Sequence, residues 1–432
     1  MIDLTYLNDR FEHLQQASAD DGIAVIRKNS FDSFNKTGLP TYRTEDWKYT
    51  SISNLFNESF AQAGHTITLA DLDALRMPGH HKANELVFVN GRFDATLSNI
   101  LSTDEELTVL SLKDAAKGEY KDLVARYLNK SSEYMKDGVH ALNGAFIEEG
   151  VFVYIHKGKT PQHPLYIYHI LDGRDHLVMA QPRGLIYVAE NSRLQLTETY
   201  ATLGVSDSFC NGVLEVVVDQ NAYVEYYKIQ NDKSNASQVS TTHITQIGRS
   251  YVHTVTVTLN GGVVRNNMNL VLDAAGNETH LYGLYLLKGK THADNHTMID
   301  NKQPNCFSNQ LYKGIADDFS TAVFNGKIMV QPDAQKTNSF QSNKNILLSD
   351  HATINTKPQL EIFADDVKCS HGCTVGQLDE EALFYLRARG IPKDKAEVLL
   401  LQAYAADVLA HIKPMAIRAY VEKLIYEHLS IV

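Results

Sequence analysis

The sequence predicts a mostly β protein with helical ends. Strand-like apolar segments follow one another from about residue 151 to 365, and helical periodicity is missing over that stretch. Near both termini, apolar residues recur at helical spacing instead. Runs rich in Asn, Gln and Ser also interrupt the central strands. These observations divide the chain into an N-terminal α+β region at 1–150, a β core at 151–375 and a C-terminal helical domain at 376–432.

The N-terminal region is predicted to mix helices with a few strands. Leu4, Leu7, Phe11 and Leu14 would form one apolar stripe on a first helix. The segment 86–93 reads Leu-Val-Phe-Val-Asn-Gly-Arg-Phe, a short strand followed by a dipeptide that tolerates positive φ in a tight turn. A β-hairpin is therefore expected there.

The central region is predicted to wind as a β-solenoid. Within 252–259, valines alternate with threonines, which is the period of two expected for a sheet with one buried face. Strands begin at intervals of about 12 to 17 residues, which suits solenoid coils but is too irregular for a strict repeat. The polar runs at 266–269, 308–310 and 338–343 favour the solenoid over a β-sandwich, because stacked coils let side-chain amides form ladders. A sandwich is the alternative.

After about residue 376 the helical signals return. Asp379 can cap a first helix that has acidic residues in its first turn, and Gly390 can end it. Pro392 then opens a second helix, predicted to run to about Ile412, and a third helix follows. The second helix is apolar almost all round, so we expect it to be buried in a bundle or against a partner.

The composition excludes several classes of function. A net charge of −11 and a pI near 5.9 argue against nucleic acid as a partner. Uncharged apolar runs fall well short of the about 18 residues that span a bilayer, so no membrane span is expected. The first residues are acidic and do not form a secretory signal, and four cysteines are too few for a disulfide framework. We expect a cytoplasmic protein.

The sequence also lacks the marks of common enzymes. Five residues separate Gly283 from Gly289 and no helix is expected to follow, so this segment is not a phosphate-binding loop and no nucleotide-binding residue is expected. Neither a nucleophile elbow nor a dinucleotide fingerprint occurs. A carbohydrate-active β-helix enzyme would need a cleft of acids, whereas adjacent acids such as Asp317 and Asp318 point to opposite faces of a strand.

The most reactive stretch of the sequence contains two cysteines and a histidine. If this stretch is extended, Cys369, His371 and Cys373 project to the same face. Together they could hold a thiophilic metal ion or a bound sulfur species. The alternative is that both cysteines pack as small hydrophobic residues and that the histidine is hydrogen-bonded in a core or interface.

Three further residues are weaker metal candidates. His292 and His296 are four residues apart, and Cys306 follows ten residues after His296. A spacing of four would place both histidines on one face of a helix, but the surrounding sequence is strand-like. The pattern therefore gives only slight support to a metal site here.

Several segments resemble the SufB/SufD family of scaffold subunits in the SUF machinery for iron–sulfur cluster assembly. The most specific is 365–391, DDVKCSHGCTVGQLDEEALFYLRARGI. The likeness extends to TEDWKYT at 44–50, to the hairpin at 86–93 and to QPDAQKT at 331–337, so it covers most of the chain in order. It implies an N-terminal helical region, a central right-handed parallel β-helix and a C-terminal helical domain.

The resemblance also implies a function and partners. A chain of this kind would be a scaffold rather than an enzyme, pairing with SufB through the β-helices and binding the ATPase SufC through its C-terminal helices. The motif around Trp47 and the hairpin favour a subunit that pairs with SufB, and SufB itself is the alternative. In isolation such a chain could form a homodimer.

The resemblance further implies where clusters are handled. His371 and Cys369 fall at the motif that members of the family place at the SufB interface, where a transient iron or iron–sulfur cluster would be assembled; no permanently bound cofactor is expected. Cys373 falls where small residues also occur in the family. The residues that bind SufC are expected on the C-terminal helices: Leu383, Leu386, Leu399, Leu400, Leu401 and Tyr404.

Overall fold

The computed structural model describes residues 4–18, 21–60, 67–205 and 207–430. Its N-terminal part is largely helical, and short 3₁₀ turns connect the longer helices, one of them at Glu45–Trp47. The helices before the central strands are α1 (Thr5–Ala17), α2 (Ala24–Thr37), α3 (Leu69–Asp73), α4 (Leu112–Lys117), α5 (Lys121–Tyr127) and α6 (Gly138–Ala145).

The apolar stripe predicted for the first helix is present on α1. Leu7 is buried, and Leu4, Phe11 and Leu14 pack around the same cluster of buried side chains. This cluster also contains Trp47, so the stripe fastens α1 to the rest of the N-terminal part.

Most of the remaining chain is strand. The strands are β1 (Asn84–Val89), β2 (Arg92–Phe93), β3 (Leu107–Ser111), β4 (Val151–Ile155), β5 (Leu165–Gly173), β6 (Val178–Ala180), β7 (Arg183–Val188), β8 (Arg193–Gly204), β9 (Ser208–Val218), β10 (Tyr223–Asn231), β11 (Ala236–Gln246), β12 (Tyr251–Asn260), β13 (Val263–Leu272), β14 (Glu278–Leu287), β15 (His292–Asn301), β16 (Phe307–Ala316), β17 (Thr321–Val330), β18 (Asn338–Leu347), β19 (Thr353–Ile362) and β20 (Lys368–Gly376).

From β7 onward, successive strands alternate between two sheets, as the prediction of a solenoid requires. The first sheet has the order β2-β1-β5-β8-β10-β12-β14-β16-β18-β20, and the second has β19-β17-β15-β13-β11-β9-β7-β4-β3, with β6 beside β9. Apart from the β1–β2 and β3–β4 pairs, neighbouring strands are parallel. From β7 onward, register partners in adjacent coils lie 26 to 32 residues apart, and each coil contributes one strand to each sheet. A β-sandwich is thereby excluded.

The predicted hairpin is also present, and it lies at the start of the solenoid. β1 and β2 pair antiparallel across Asn90 and Gly91, whose φ angles are 49° and 86°. β1 in turn pairs in parallel with β5. The hairpin therefore begins the first sheet.

The nature of the inward side chains changes along the first sheet. One row of inward side chains contains Val224 and Val252 in the middle coils and Ser308 and Ser339 in later ones, before it ends at Cys369. The hydroxyls of the two serines are hydrogen-bonded to each other. The amides of Gln341 and Gln310 are also hydrogen-bonded between coils, at 2.9 Å, which is the ladder of side-chain amides that the polar runs predicted.

The C-terminal part consists of the helices α7 (Glu380–Ala388), α8 (Lys393–Leu409) and α9 (Met415–Ser430). Asp379 caps α7 by accepting hydrogen bonds from two backbone N–H groups, and Gly390 follows with a φ of 85°, as predicted. α8 ends three residues before the predicted Ile412 and packs on the outer face of the first sheet. In the described part of the chain, no helix is both long enough and apolar enough to cross a membrane.

The second C-terminal helix is only partly buried within this chain, and its burial against a partner stays a prediction. Leu401, Ala405 and Val408 of α8 are buried against the solenoid and α9, but Leu399 is 46% exposed. The apolar residues on both sides of the helix hid this division in the sequence, because a helical period cannot be read from an almost uniformly apolar segment.

Candidate functional site

The stretch that contains His371 forms β20, the last strand of the first sheet. β20 pairs with β18, and no other described strand is hydrogen-bonded to it. Every second side chain in most of β18 is buried, whereas nearly all side chains of β20 are exposed. β20 is therefore an open edge at one end of the solenoid.

Cys369, His371 and Cys373 share the inward face of β20. Cys369 packs against the apolar interior of the solenoid, and His371 lies in register with Gln341, which is hydrogen-bonded inside it. Because side chains alternate along a strand, Cys373 points the same way. The structure thus places the three along one face of the strand at the open mouth of the last coil, without making them converge on one point.

His371 is accessible at this mouth. Its side chain is exposed, and a Cβ placed on the neighbouring Gly372 would meet no atom within 4 Å. Within the described ranges, no three His, Cys, Asp or Glu side chains converge to form a metal site. A ring nitrogen of His371 can act as one ligand to an ion that is also held by other groups.

The cysteines differ in their surroundings. Cys369 is half-buried, and burial raises the pKa of its thiol, which is opposed by a hydrogen bond with the backbone of Ser339. Cys373 is exposed. At neutral pH the Cys369 thiol keeps its proton, and iron would have to displace that proton in order to bind sulfur.

Cys306 lies apart from this edge. It precedes β16, which is two strands from β20 in the first sheet. The thiol is buried and donates a hydrogen bond to the carbonyl of Gln303 at 3.2 Å. Burial raises the pKa of this thiol too. Its surroundings are those of a cysteine that packs as a small hydrophobic residue.

His292 and His296 lie on β15 in the second sheet, on its outer face. Nε2 of His296 is 3.0 Å from Oδ1 of Asp294, and Nε2 of His292 is 2.9 Å from Oγ1 of Thr50. Thr50 also donates a hydrogen bond to Asp294 at 2.5 Å. The structure therefore separates these two histidines from β20 and places them against the N-terminal part.

The same contact includes the only tryptophan of the chain. The guanidinium of Arg265 lies 3.9 Å from the centre of the Trp47 ring and donates hydrogen bonds of 2.7 Å to the Asp46 carbonyl and to Asp294. Burial alone would raise the pKa of Asp294, but the neighbouring His296 and Arg265 hold it below its usual range. These contacts explain the motif around Trp47 as a clamp between the N-terminal part and the second sheet.

The six residues predicted to bind SufC differ in accessibility. Leu401 is 4% exposed and belongs to the core between α8, α9 and the solenoid. Leu399 is exposed. The other four are half-buried, and the ring of one of them, Tyr404, lies 4.2 Å from the ammonium of Lys313.

Two large exposed side chains of α7 were missed by the sequence reasoning. Phe384 is 74% exposed and Tyr385 is 59% exposed. Leu383 and Leu386 are spaced by three and define the inward side of α7, so the two aromatic residues between them had to face outward. That spacing was the signal in the sequence that could have found them.

Comparison with known proteins assigns almost the whole chain. Residues 169–404 match the family described as SUF system FeS cluster assembly, SufBD core domain, and residues 3–167 match the SufBD protein N-terminal region. A SufBD family iron–sulfur cluster assembly protein of Synechocystis is 32% identical over 94% of this chain and 91% of its own. The iron–sulfur cluster assembly protein SufD of Escherichia coli is 30% identical over 86% of this chain and 85% of its own. SufD of Bacillus subtilis is 28% identical over 68% of each chain. The chain therefore belongs to the SufB/SufD family of iron–sulfur cluster assembly proteins.

Proposed function

We propose that this chain is a scaffold of the SUF machinery without ATPase activity of its own, which pairs with SufB and SufC so that nascent iron–sulfur clusters are assembled where β20 meets SufB. The observation that carries the proposal is the open edge of β20 with His371 exposed on it. Family membership supports a role in iron–sulfur cluster assembly, and the relatives named SufD favour this type of subunit.

The end of the solenoid has the properties of a pairing surface. The outer edge of β20 presents backbone N–H and C=O groups, which a strand from another protein can pair with. Ile362, Phe363 and Val375 at the same end are 40%, 59% and 46% exposed. A partner that extended the solenoid would remove these apolar side chains from water.

The inward face of β20 supplies ligands for iron as cargo. A neutral imidazole binds iron through one ring nitrogen, and a cysteine thiolate can serve as a second ligand. Since His371 and Cys369 lie two residues apart on the same face, both can approach one cluster at the seam. The remaining ligands would come from SufB.

The C-terminal helices are proposed to bind SufC through their exposed side. Phe384, Tyr385 and Leu399 offer the large apolar side chains that form the centre of many protein interfaces. Lys313 of β16 joins α8 to the solenoid, because its ammonium donates hydrogen bonds to the carbonyl of Tyr404 at 2.9 Å and to Asp407 at 2.5 Å. This connection would pass movements of the helices to the first sheet.

The replacement His371→Ala tests the role of the site. We expect the complex with SufB and SufC to form normally, while iron and sulfide recovered per complex fall by at least about tenfold, as losses of metal-site groups do. The measurement is cluster content of the co-purified complex. His351→Ala, at an exposed corner of the chain, is the matched control. Wild-type cluster content in the His371 variant would remove this residue from the chemistry.

A pair of leucine variants tests the SufC surface. Leu399→Ala should weaken SufC binding by about tenfold or more without lowering the melting temperature, since the side chain is exposed. Leu401→Ala should instead lower the free energy of unfolding by about 2–5 kcal/mol, since it leaves a cavity. Calorimetric titration with SufC and urea unfolding separate the two effects. Unchanged SufC affinity in Leu399→Ala and in Phe384→Ala would contradict the assignment of this surface.

A further inference from the structure

The side chain of Gln341 has a fixed orientation inside the last coils. It lies on β18 and is 4% exposed. Its Nε2 donates a hydrogen bond to Oε1 of Gln310 at 2.9 Å, and Nε2 of Gln310 donates to Oγ1 of Thr297 on the opposite sheet at 2.6 Å. Since the amide nitrogen of Gln341 is the group that faces Gln310, the amide oxygen of Gln341, Oε1, points away from Gln310.

That oxygen is an acceptor whose donor is missing. Oε1 of Gln341 is buried and has no hydrogen-bond partner among the described residues. The amide of the nearby Asn343 is satisfied by contrast: its oxygen accepts hydrogen bonds from Asn345 at 2.7 Å and Thr356 at 2.9 Å, and its nitrogen donates to Tyr285 at 3.0 Å. A buried acceptor without a donor is costly, so a donor is expected close by.

The space for Gln341 is made by a glycine on the second sheet. A Cβ placed on Gly326 would lie 2.3 Å from Nε2 of Gln341 and 2.7 Å from the ring of Phe324. Any larger residue would therefore displace the amide. The fold thus holds Gln341 in one place as well as in one orientation.

His371 is a hydrogen-bond donor in register with Gln341. It is the register partner of Gln341 on β20, and the two side chains share the inward face. Adjacent strands are about 4.8 Å apart, so side chains at such positions contact each other. The imidazole carries one N–H when it is neutral, and it can turn because it lies at the open mouth of the coil.

We infer that Oε1 of Gln341 accepts a hydrogen bond from a ring N–H of His371, and that this bond selects one tautomer and turns the other ring nitrogen towards the open edge. Gln341 is then a positioning residue. Histidines that bind metals commonly have such a partner, which orients the ring. The hydrogen bond stands on the geometry alone, whereas its use in cluster assembly rests on the proposed function.

Nitrogen NMR of the full chain labelled with ¹⁵N-histidine tests the inference. In basic solution, the neutral His371 ring should show one protonated-type and one unprotonated-type nitrogen with well separated resonances. The resonances are assigned by their loss in His371→Gln. Gln341→Met keeps the size of the side chain but removes the acceptor, so the two resonances should move towards each other as tautomers exchange. Unchanged His371 resonances in Gln341→Met would overturn the inference.

Two further variants test whether a change in the His371 resonances comes from a general disturbance of the fold. Gln341→Glu keeps an oxygen acceptor and should restore the separated resonances, and failure to restore them would also overturn the inference. Gln359→Met, on the neighbouring edge strand β19, is the matched control and should change nothing. Should Gln341→Met not fold, the isosteric variant Thr297→Val is measured instead. It removes the hydroxyl that accepts a hydrogen bond from Gln310, and so loosens the orientation of Gln310 and of Gln341. In Thr297→Val we expect the two His371 nitrogen resonances to move part of the way towards each other, and unchanged resonances would refute the hydrogen bond between His371 and Gln341.

The NMR measurement and the cluster measurement can fail independently. The resonances are read on the isolated chain without iron or partners. A wild-type cluster content in His371→Ala would therefore contradict the proposed function while the hydrogen bond stood. Unchanged resonances in Gln341→Met would remove the positioning role and leave the proposed function intact.

Discussion

Near β8 and β10 the interior of the solenoid holds an ionised cluster, whereas near β18 and β20 it holds uncharged hydroxyls and amides. The carboxylate of Glu198 is 2.8 Å from His169, accepts a hydrogen bond of 2.8 Å from Tyr200 and lies 3.7 Å from the ammonium of Lys228. All four side chains are buried. In the last coils, the polar part of the interior consists of Ser, Gln and Asn side chains that end at an exposed histidine.

The difference shows how burial governs which polar groups a solenoid can hold. An ionised pair deep in the stack is stable only when each charge is compensated. Burial lowers the pKa of Lys228, and the attraction of Glu198 opposes that shift. The ammonium also donates hydrogen bonds to Ser240 at 2.8 Å and Thr242 at 3.1 Å. The attraction of Lys228 and His169 keeps the pKa of Glu198 below its usual range, although burial would raise it. At the open end, neutral amides suffice, and the titratable group lies where water and a partner can reach it.

The largest expected effect comes from breaking the ionised cluster. Lys228→Met should lower the free energy of unfolding by about 3–5 kcal/mol, because it leaves the Glu198 charge buried without its cation. Urea unfolding at neutral pH measures this loss. Lys344→Met, at an exposed position of β18, is the control and should change stability by less than about 0.5 kcal/mol. Equal stability of the two variants would show that the cluster is not ionised.

A second test compares buried histidines with the exposed His371 by measuring how the free energy of unfolding depends on pH. Burial lowers the pKa of His243 to about 4, and those of His140 and His253 to about 3 and about 4. The unfolded chain therefore binds more protons than the folded one between about pH 4 and 6.5, and the free energy of unfolding falls as the pH falls through this window.

Each such histidine should contribute roughly 1.4 kcal/mol per pH unit within the window. The variant His243→Asn removes one such histidine. The free energy of unfolding should then depend less steeply on pH, by the slope that corresponds to about one proton. His371→Asn serves as the exposed comparison. Urea unfolding at a series of pH values gives the slopes, and an unchanged slope in His243→Asn would contradict the assignment.

The smallest effect concerns the space around two glycines of the first sheet. A Cβ on Gly283 would lie 2.1 Å from the ring of Tyr312, so Gly283→Ala should cost about 1–3 kcal/mol of stability through overpacking. Gly372→Ala on β20 meets no atom within 4 Å and should change stability by less than about 0.5 kcal/mol. Thermal unfolding compares the two variants. A large loss in Gly372→Ala would mean that the edge is covered.

The sequence was sufficient to predict the solenoid and the hairpin because both follow from patterns of neighbouring residues. Alternation of valine and threonine at 252–259 indicates a strand whatever its neighbours are, and Asn90-Gly91 specifies a turn by its own backbone preferences. The end caps of α7 at Asp379 and Gly390 are equally local. In each case the information lies within a few residues.

Contacts between distant parts of the chain were not predictable in this way. His292 meets Thr50 across 242 residues, and nothing in the spacing of His292 and His296 points to that partner. Leu399 and Leu401 look alike in the sequence, and only the packing of α8 on the first sheet distinguishes the exposed side chain from the buried one. The alternation at 369–373 and the family resemblance both pointed to His371, but its neighbour Gln341 required the register of β18 and β20.

The stacking of the coils also sets the length of the solenoid. Each coil adds about 4.8 Å between the clamp at Trp47 and the open edge at β20. Insertion or loss of a whole coil would therefore change that length by one step while keeping every inward side chain inward. An insertion of one residue within β20 ahead of His371 would instead turn its imidazole to the outer surface. Length can therefore vary in this architecture only in whole coils or at the corners.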